Sequence, residues 1–330
     1  MGGLLLPRAV LADTPALAEA ARGEGSLTWY VSQLDAEEAE SLGRTFTEAH
    51  PGVKVTVIRA TGQVIFQRLL LDIKNQTPNC DVFSTSDISH MPILKDRGAL
   101  KRFVPAEATG LAPPFKALSD DGWYYITNAG RYFMIHNTNK VTPADAPRKW
   151  TDLLDPKWKN QLAVAHPAFS GGTSVWVLTL RKRFGWSYFE ALAKNNPRIG
   201  RSAVDPVTLL SGGECSVAAT WGPAAYRALD KGNPLAVDHP ADGTVTLAFP
   251  SGIPANAPHP NAARLFMEWL LGEQYSRLIA ADGSEPLRAD VSGRPGSPPM
   301  DDGSLISLTV DEIRKGVPEV IEQWRDTFGV

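Results

Sequence analysis

Ser170 to Ser174 form the stretch whose residue types point most directly to binding chemistry. This Ser-Gly-Gly-Thr-Ser run leads into an apolar-periodic helix pattern that begins at Val175. The first amides of a helix lack intrahelical acceptors and carry a partial positive charge. With the hydroxyls, the loop can hold a phosphate, phosphonate or carboxylate without a formal cation, although the same residues also suit a plain structural cap. No lysine follows the glycines, so this is not a P-loop. The candidates are Ser170, Gly171, Gly172, Thr173 and Ser174.

Three further loops of small polar residues follow strand-like runs near the start of the chain. The runs SLTWYVSQ, VKVTVIRA and CDVFSTS each precede an amphipathic helix pattern, and Asp35 with Glu38 begins the first of these helices. Short strand–helix alternation predicts a parallel sheet covered on both faces. Its loops meet at the carboxyl edge, where open α/β sheets bind ligands, although such loops are also ordinary turns. The candidates are Ser32, Gln33, Thr61, Gly62, Ser86 and Asp87, of which Asp87 also caps the next helix.

Length and charge limit the classes of protein to consider. A chain of 330 residues suits two lobes of about 100–200 residues each. The net charge of −3 provides no basic field for nucleic acid. No run approaches the roughly 18 uninterrupted apolar residues of a membrane-spanning helix.

The N-terminal run GGLLLPRAVLA resembles the end of an export signal. Val10 and Ala12 have the spacing that signal peptidase accepts, but a basic leader is missing and Pro7 interrupts the run. We interpret the segment as the remainder of a signal that starts upstream of Met1. A disordered N-terminal tail is the alternative.

The two cysteines, Cys80 and Cys215, each precede a strand-like run. An exported protein could bridge them. Strands in different lobes would keep the sulfurs too far apart, so we predict buried free thiols.

The later part of the chain repeats the α/β pattern. QLAVAHP, the Ser170 loop with its helix, and SVAATWG form a second unit, and two long extended segments cross between the units. We therefore predict an α/β protein with two lobes, each a mostly parallel sheet flanked by helices, and a ligand cleft between them. The predicted boundaries are 1–25 for the residual signal and tail, 26–128 plus 242–285 for lobe one, 129–241 for lobe two and 286–330 for a C-terminal helical packing segment.

Five side chains outside these loops are further ligand-binding candidates. Arg131 suits a bidentate contact with an anion or an interlobe salt bridge. Trp221 suits stacking on a ligand or packing against the following turn. Asp205 suits accepting from a ligand or capping a helix. Tyr132 lies beside Arg131, and Tyr226 follows on the next helix, where packing is the commoner role.

Several stretches follow the order of a known family. LTWYVSQ, CDVFSTSD, GRYFMIHNTNKV, WTDLLDPKWKNQLAVAHP, FSGGTS and the C-terminal run ending in GSEPLRADV cover most of the chain. Together they resemble extracellular solute-binding proteins of ABC transporters, in the group that binds ferric iron, sugar phosphates and phosphonates. The resemblance implies a type II periplasmic-binding fold that delivers its ligand to a membrane permease.

The sequence departs from the iron binders of that group at their metal ligands. Those proteins use adjacent tyrosines and a histidine after the first strand, whereas this chain has Thr220, Trp221, Gly222 and Leu34 in those regions. Fe³⁺ needs anionic oxygen donors. Direct ferric binding is therefore not expected, and a metal chelate remains an alternative.

We predict a periplasmic, monomeric, non-enzymatic component of an ABC importer. It would bind a small anionic solute between its lobes and pass it to a permease, with no cofactor, metal or nucleic acid. Ferric iron or a metal chelate is the alternative ligand, and an enzyme on the same fold is the second alternative. No Gly-x-Ser-x-Gly or Ser-x-x-Lys motif supports the enzyme.

Overall fold

The computed structural model describes residues 14–120, 122–297, 305–306 and 308–330. The predicted signal, with Val10 and Ala12, lies outside the described residues. Within them, no helix is both long enough and apolar enough to cross a membrane.

The described strands join into one mixed sheet with the order β2-β1-β3-β9-β4-β7-β5-β6, in which β10 pairs with β9 and β8 pairs with β4. The strands are β1 (Ser26–Val31), β2 (Lys54–Arg59), β3 (Val82–Ser84), β4 (Tyr125–Asn137), β5 (Leu162–Ala165), β6 (Arg198–Gly200), β7 (Val217–Trp221), β8 (Leu235–Asp238), β9 (Thr244–Gly252) and β10 (Leu305–Ile306).

Helices cover both faces of this sheet. They are α1 (Thr14–Glu24), α2 (Ala36–Ala49), α3 (Gly62–Asn75), α4 (His90–Asp96), α5 (Pro113–Leu118), α6 (Gly171–Phe184), α7 (Ser187–Ala193), α8 (Asp205–Ser211), α9 (Gly222–Asp230), α10 (Pro260–Leu271), α11 (Glu273–Ala281) and α12 (Val310–Phe328). Four short 3-10 turns lie at Ala106–Gly110, Trp150–Leu154, Pro156–Trp158 and Pro167–Phe169.

Two groups of parallel strands define the two lobes. In lobe one, β1 pairs in parallel with both β2 and β3. In lobe two, β5 pairs in parallel with β6 and β7. The predicted strand-to-helix loops therefore do leave from the carboxyl ends of parallel strands, as the α/β interpretation requires.

The lobes are not separate sheets, which differs from the expectation of one sheet per lobe. The crossing strands β4 and β9 are antiparallel partners from Tyr125 with Ser251 to Tyr132 with Val245, and β4 then continues beside β7. Every residue of β4 is buried. Because one strand belongs to both lobes, the exact lobe boundaries remain a prediction.

Residues 14–24, which the sequence analysis assigned to the N-terminal tail, form a packed helix. Leu17 and Ala21 are buried where α1 meets α10. The Glu24 carboxylate accepts hydrogen bonds from the amides of Asn261 and Ala262 at 2.9 and 2.8 Å. Glu24 thereby satisfies amides that the first turn of α10 leaves open.

The C-terminal helix α12 packs on lobe two. Gly316 lies against the side chain of Leu178 on α6, and Trp324 is fully buried beside Phe189 on α7. A capping box between Thr309 and Glu312 begins the helix.

The prediction of buried free thiols is confirmed, since Cys80 and Cys215 are both buried and unbonded. Burial raises the pKa of the Cys80 thiol well above its ordinary value and that of Cys215 to about 12. Both sulfurs are therefore protonated and inert at neutral pH.

Candidate functional site

A cavity of about 130 Å³ lies between the lobes, where loops from both of them meet. Of the predicted ligand-binding residues it is lined by Ser32, Gln33, Thr61, Gly62, Ser86, Tyr132, Ser170, Gly172 and Trp221. The loops selected from the sequence therefore meet at one cavity, and their role in binding stays a prediction.

Hydrogen bonds and close packing gather the three lobe-one loops. The Ser86 amide donates to Ser32 Oγ at 2.9 Å, and the Ser32 amide donates to the carbonyl of Ser84. Gly62 approaches so closely that a Cβ there would lie 2.9 Å from Ser86 Oγ. Thr61 lies beside them as the N-cap of α3, and its hydroxyl makes no hydrogen bond to the amides of that helix.

Gln33 adds an amide to the lobe-one wall. Its Nε2 donates to Thr127 Oγ1 at 3.4 Å, while its Oε1 is buried and has no partner among the described residues. A buried acceptor without a donor costs free energy. A donor on a bound solute would satisfy it.

The start of α6 forms the facing wall of lobe two. Ser170 is the N-cap, and its Oγ accepts from the Thr173 amide at 3.4 Å. The first intrahelical bond runs from the Ser174 amide to the Ser170 carbonyl. The amides of Gly171 and Gly172 precede that bond, so the helix itself does not use them.

Thr173 and Ser174 were predicted to contact a ligand, and the structure uses both hydroxyls internally. Thr173 Oγ1 is hydrogen-bonded to the hydroxyl of Tyr132 at 3.0 Å, and Ser174 Oγ donates to the carbonyl of Pro167 at 2.6 Å. Neither residue lines the cavity. In the first turn of a helix, short hydroxyl side chains reach backbone and neighbouring groups easily.

Gly171 does not line the cavity because it contacts lobe one. A Cβ on Gly171 would lie 2.3 Å from the carbonyl oxygen of Ser86 and 3.1 Å from the Cβ of Asp87. The two lobes therefore touch beside the cavity, and the structure is a closed form.

Arg131 is not in the cavity, and its salt-bridge alternative is the one observed. Its Nε and Nη2 lie 2.8 Å from the two carboxylate oxygens of Glu285, and both side chains are buried. This bidentate pair ties β4, which crosses between the lobes, to the segment after α11.

Asp87 and Asp205 both hold their own turns and do not line the cavity. Asp87 Oδ1 accepts from the amide and hydroxyl of Ser89. Asp205 Oδ2 accepts from the amide of Arg201 at 2.6 Å. Local donors occupy their oxygens, but neither carboxylate caps a helix, because Ser89 and Val204 are the N-caps of α4 and α8.

Three aromatic side chains were predicted at the site, and two of them border it. Tyr132 is fully buried, and burial raises the pKa of its hydroxyl, so the hydroxyl stays neutral. Trp221 packs on Phe249 at 5.2 Å between ring centroids and also lines the cavity. Tyr226 lies elsewhere, bonded to Ser297.

Comparison with known proteins places the chain in a family. Residues 30–276 match the family described as bacterial extracellular solute-binding protein. The chain belongs to this family. As a solute-binding protein of the ABC-importer type, it has the periplasmic location that the sequence predicted.

Individual relatives are distant but cover most of the chain. A putative 2-aminoethylphosphonate-binding periplasmic protein of Salmonella typhimurium is 25% identical over 280 residues, which are 82% of this chain and 77% of that one. The structure of AfuA from Actinobacillus pleuropneumoniae, with exogenous fructose-6-phosphate bound, superposes with a TM-score of 0.82 at 20% identity and covers 93% of this chain and 99% of that one. Iron-bound HitA from Pseudomonas aeruginosa gives a TM-score of 0.78 at 19% identity, with coverages of 92% and 99%. These likenesses confirm the type II periplasmic-binding fold.

The charged residues in the cavity of this solute-binding protein were not predicted from the sequence. Asp35, Arg59 and Arg227 line it, and Arg227 is paired with Asp35, Glu38 and Asp282. Arg59 is the last residue of β2, and its Nε donates to the carbonyl of Leu34. Arg59 could have been predicted, because the candidate loops were chosen at the carboxyl ends of strands and Arg59 lies at such an end. Further lining residues that were missed are Leu34, Phe169, Ser202, Ala203, Val204, Leu247 and Phe249.

Leu34 and Trp221, which stand where the resemblance to iron binders would place metal ligands, border the cavity. Neither side chain offers an anionic oxygen. In the described part of the chain, no group of three or more His, Cys, Asp or Glu side chains is arranged to hold a metal ion.

Proposed function

We propose that this solute-binding protein binds a small anionic solute, an organic phosphate, phosphonate or carboxylate, and delivers it to a permease without transforming it. The observation that carries the proposal is the position of the start of α6, where the amide of Gly172, which the helix does not use, borders a closed interlobe cavity that Arg59 also lines. Helix N-termini stabilise anions in such positions.

Hydroxyl groups complete the pocket for the acid group. Ser170 contributes from lobe two, and Ser32, Thr61 and Ser86 contribute from lobe one. A solute that contacts both walls prefers the closed form, and that difference in affinity is what drives closure. When the lobes part, the solute loses its contacts with one of the two walls and is released.

The cavity lining also favours a solute that donates hydrogen bonds. Gln33 Oε1 is a buried acceptor without a partner among the described residues, and the Asp35 carboxylate lines the same space. An amine or hydroxyl on the solute would satisfy them. The names of two relatives fit this chemistry, since 2-aminoethylphosphonate carries an amine and fructose-6-phosphate carries hydroxyls.

The size of the cavity limits the solute to a small molecule. A volume of about 130 Å³ is below the roughly 300 Å³ at which pockets for drug-sized ligands begin. Compact phosphonates and carboxylates with few heavy atoms are therefore favoured over larger sugar phosphates.

Native mass spectrometry of protein purified from periplasmic extract, together with a thermal-shift panel, tests the proposal. Small phosphonates, sugar phosphates and carboxylates form the panel, and ferric citrate and putrescine are the comparisons. We expect an acid-bearing solute to raise the melting temperature and to be recovered unchanged after incubation. Stabilisation by ferric citrate or putrescine alone, or turnover of the solute, would contradict the proposal.

A further inference from the structure

Arg227 lies on lobe two and is surrounded by carboxylates of lobe one. Its Nη2 is 3.3 Å from Asp35 Oδ2, and its Nη1 is 3.3 Å from Glu38 Oε2. Nη1 also donates to Asp282, which follows α11. Asp35 caps α2 by accepting from the Glu38 amide at 2.8 Å, so the carboxylates are held in place on lobe one. We call these four residues the interlobe ion cluster.

The cluster stands directly beside the proposed solute site. Asp35 and Arg227 line the solute cavity, and both also line a neighbouring interlobe cavity of about 450 Å³ together with Glu38 and Asp282. The Arg227 side chain is 21% exposed and that of Glu38 is 14% exposed. Partial burial makes such contacts stronger than ordinary surface ion pairs.

We propose that the interlobe ion cluster is a clasp that stabilises the closed form and sets how tightly the proposed solute site closes. The effect of the clasp on solute affinity rests on the proposed function. The clasp itself is a property of the protein without solute. When the lobes part, Arg227 separates from the three acidic side chains, which stay together on lobe one. Closure therefore gains the attraction between them.

Three carboxylates share one guanidinium, and the excess negative charge is relieved by a proton. Burial, with smaller contributions from Asp282 and Asp35, raises the pKa of Glu38 to about 8 against the opposing charge of Arg227. Burial raises the pKa of Asp282, whereas Arg227 and Glu38 lower it. The other charged or titratable groups facing the cluster are Glu37 on α2, Arg59 at the end of β2, Asp230 and Lys231 at the end of α9, Tyr275 on α11, and Arg294, which pairs with Asp230.

This arrangement makes closure depend on pH. The closed form keeps a proton on Glu38 that the open, more hydrated form releases below pH 8. Because the pKa is raised in the closed form, closure is favoured at lower pH, weakens as the pH rises toward about 8, and levels off above it. Replacement of the acid by its neutral isostere, Glu38→Gln, should remove this dependence.

Distances between spin labels on the two lobes test the clasp without any solute. Lys74→Cys on α3 and Glu190→Cys on α7 provide exposed labelling sites, while Cys80 and Cys215 are buried. We expect Arg227→Met and Asp282→Asn each to lower the closed-to-open ratio about fivefold to tenfold. The double variant should be no more open than Arg227→Met. Arg277→Met, which breaks an exposed pair within α11, is the control and should change nothing.

The results separate this inference from the proposed function. Additive effects of the two substitutions, or an unchanged closed population in both, would overturn the clasp. A pH response that persists in Glu38→Gln would overturn the protonation step. Failure of every anionic solute to bind the wild-type protein would instead contradict the proposed function and leave the distance measurement interpretable.

Discussion

Gly171 of lobe two and Ser86 of lobe one are in backbone contact across the cleft. A Cβ on Gly171 would lie 2.3 Å from the Ser86 carbonyl oxygen, a distance that no side chain can occupy without moving the backbone. The closed form therefore requires glycine at position 171, and the reason is the approach of the opposite lobe.

Substitution Gly171→Ala should weaken solute binding without unfolding the protein. The added methyl keeps the lobes apart, which costs about 1–3 kcal/mol of closure and lowers affinity by about 5-fold to 150-fold. Titration calorimetry with a solute that binds the wild type measures the change. Gly23→Ala, on α1 with nothing within 4 Å, is the matched control. Equal affinities of Gly171→Ala and wild type would show that closure does not use this contact.

Substitution Ser170→Asp should abolish solute binding while leaving the stability of the fold nearly unchanged. Aspartate is a good N-cap and favours a helix N-terminus, so the free energy of unfolding should change by less than about 1 kcal/mol. Its negative charge repels an anion from the α6 amides, so binding should be lost. Ser187→Asp adds the same charge at the exposed start of α7 and should bind normally. Tighter binding by Ser170→Asp would indicate a cationic solute.

Substitution Glu285→Gln should destabilise the crossing strands. It leaves the buried Arg131 guanidinium without its countercharge, and breaking such a pair costs about 3–5 kcal/mol. Urea unfolding measures this free energy. Glu273→Gln breaks an exposed pair on α11 and should have little effect. Equal stabilities of the two variants would mean that the Arg131–Glu285 pair does not stabilise the fold.

Substitution Glu24→Gln tests whether α1 is part of the fold. The carboxylate accepts from two amides at the start of α10, and its loss should lower stability by about 1 kcal/mol. Thermal unfolding is the measurement, with Glu19→Gln on the exposed face of the same helix as the control. No difference between the two variants would show that the Glu24 carboxylate does not stabilise the junction of α1 with α10.

Strand periodicity was enough to locate the loops of the cavity. Ser32, Thr61 and Ser86 each follow a parallel strand, and parallel strands bring their carboxyl ends to one edge. The Ser170 loop was found because glycines and hydroxyls precede a helix. Both patterns lie within a few consecutive residues, so they can be recognised in a single sequence without knowledge of distant contacts.

Contacts that depend on helix rotation or on distant partners could not be predicted in the same way. Tyr226 was chosen as a candidate, whereas its neighbour Arg227 borders the cavity, because one residue turns the side chain by about 100° around a helix. Arg131 was left open between ligand and salt bridge because Glu285 is distant in sequence. The continuous sheet was missed because β4 belongs to both lobes.

The most direct test of the central claim is a calorimetric comparison of two solutes that differ in their acid group. Ethylphosphonate has the acid without an amine, and ethanolamine has an amine without the acid. If the start of α6 holds the acid group, the wild-type protein binds ethylphosphonate and Ser170→Asp does not, while neither protein binds ethanolamine. Binding of ethanolamine alone, or ethylphosphonate binding that Ser170→Asp leaves unchanged, would contradict the account.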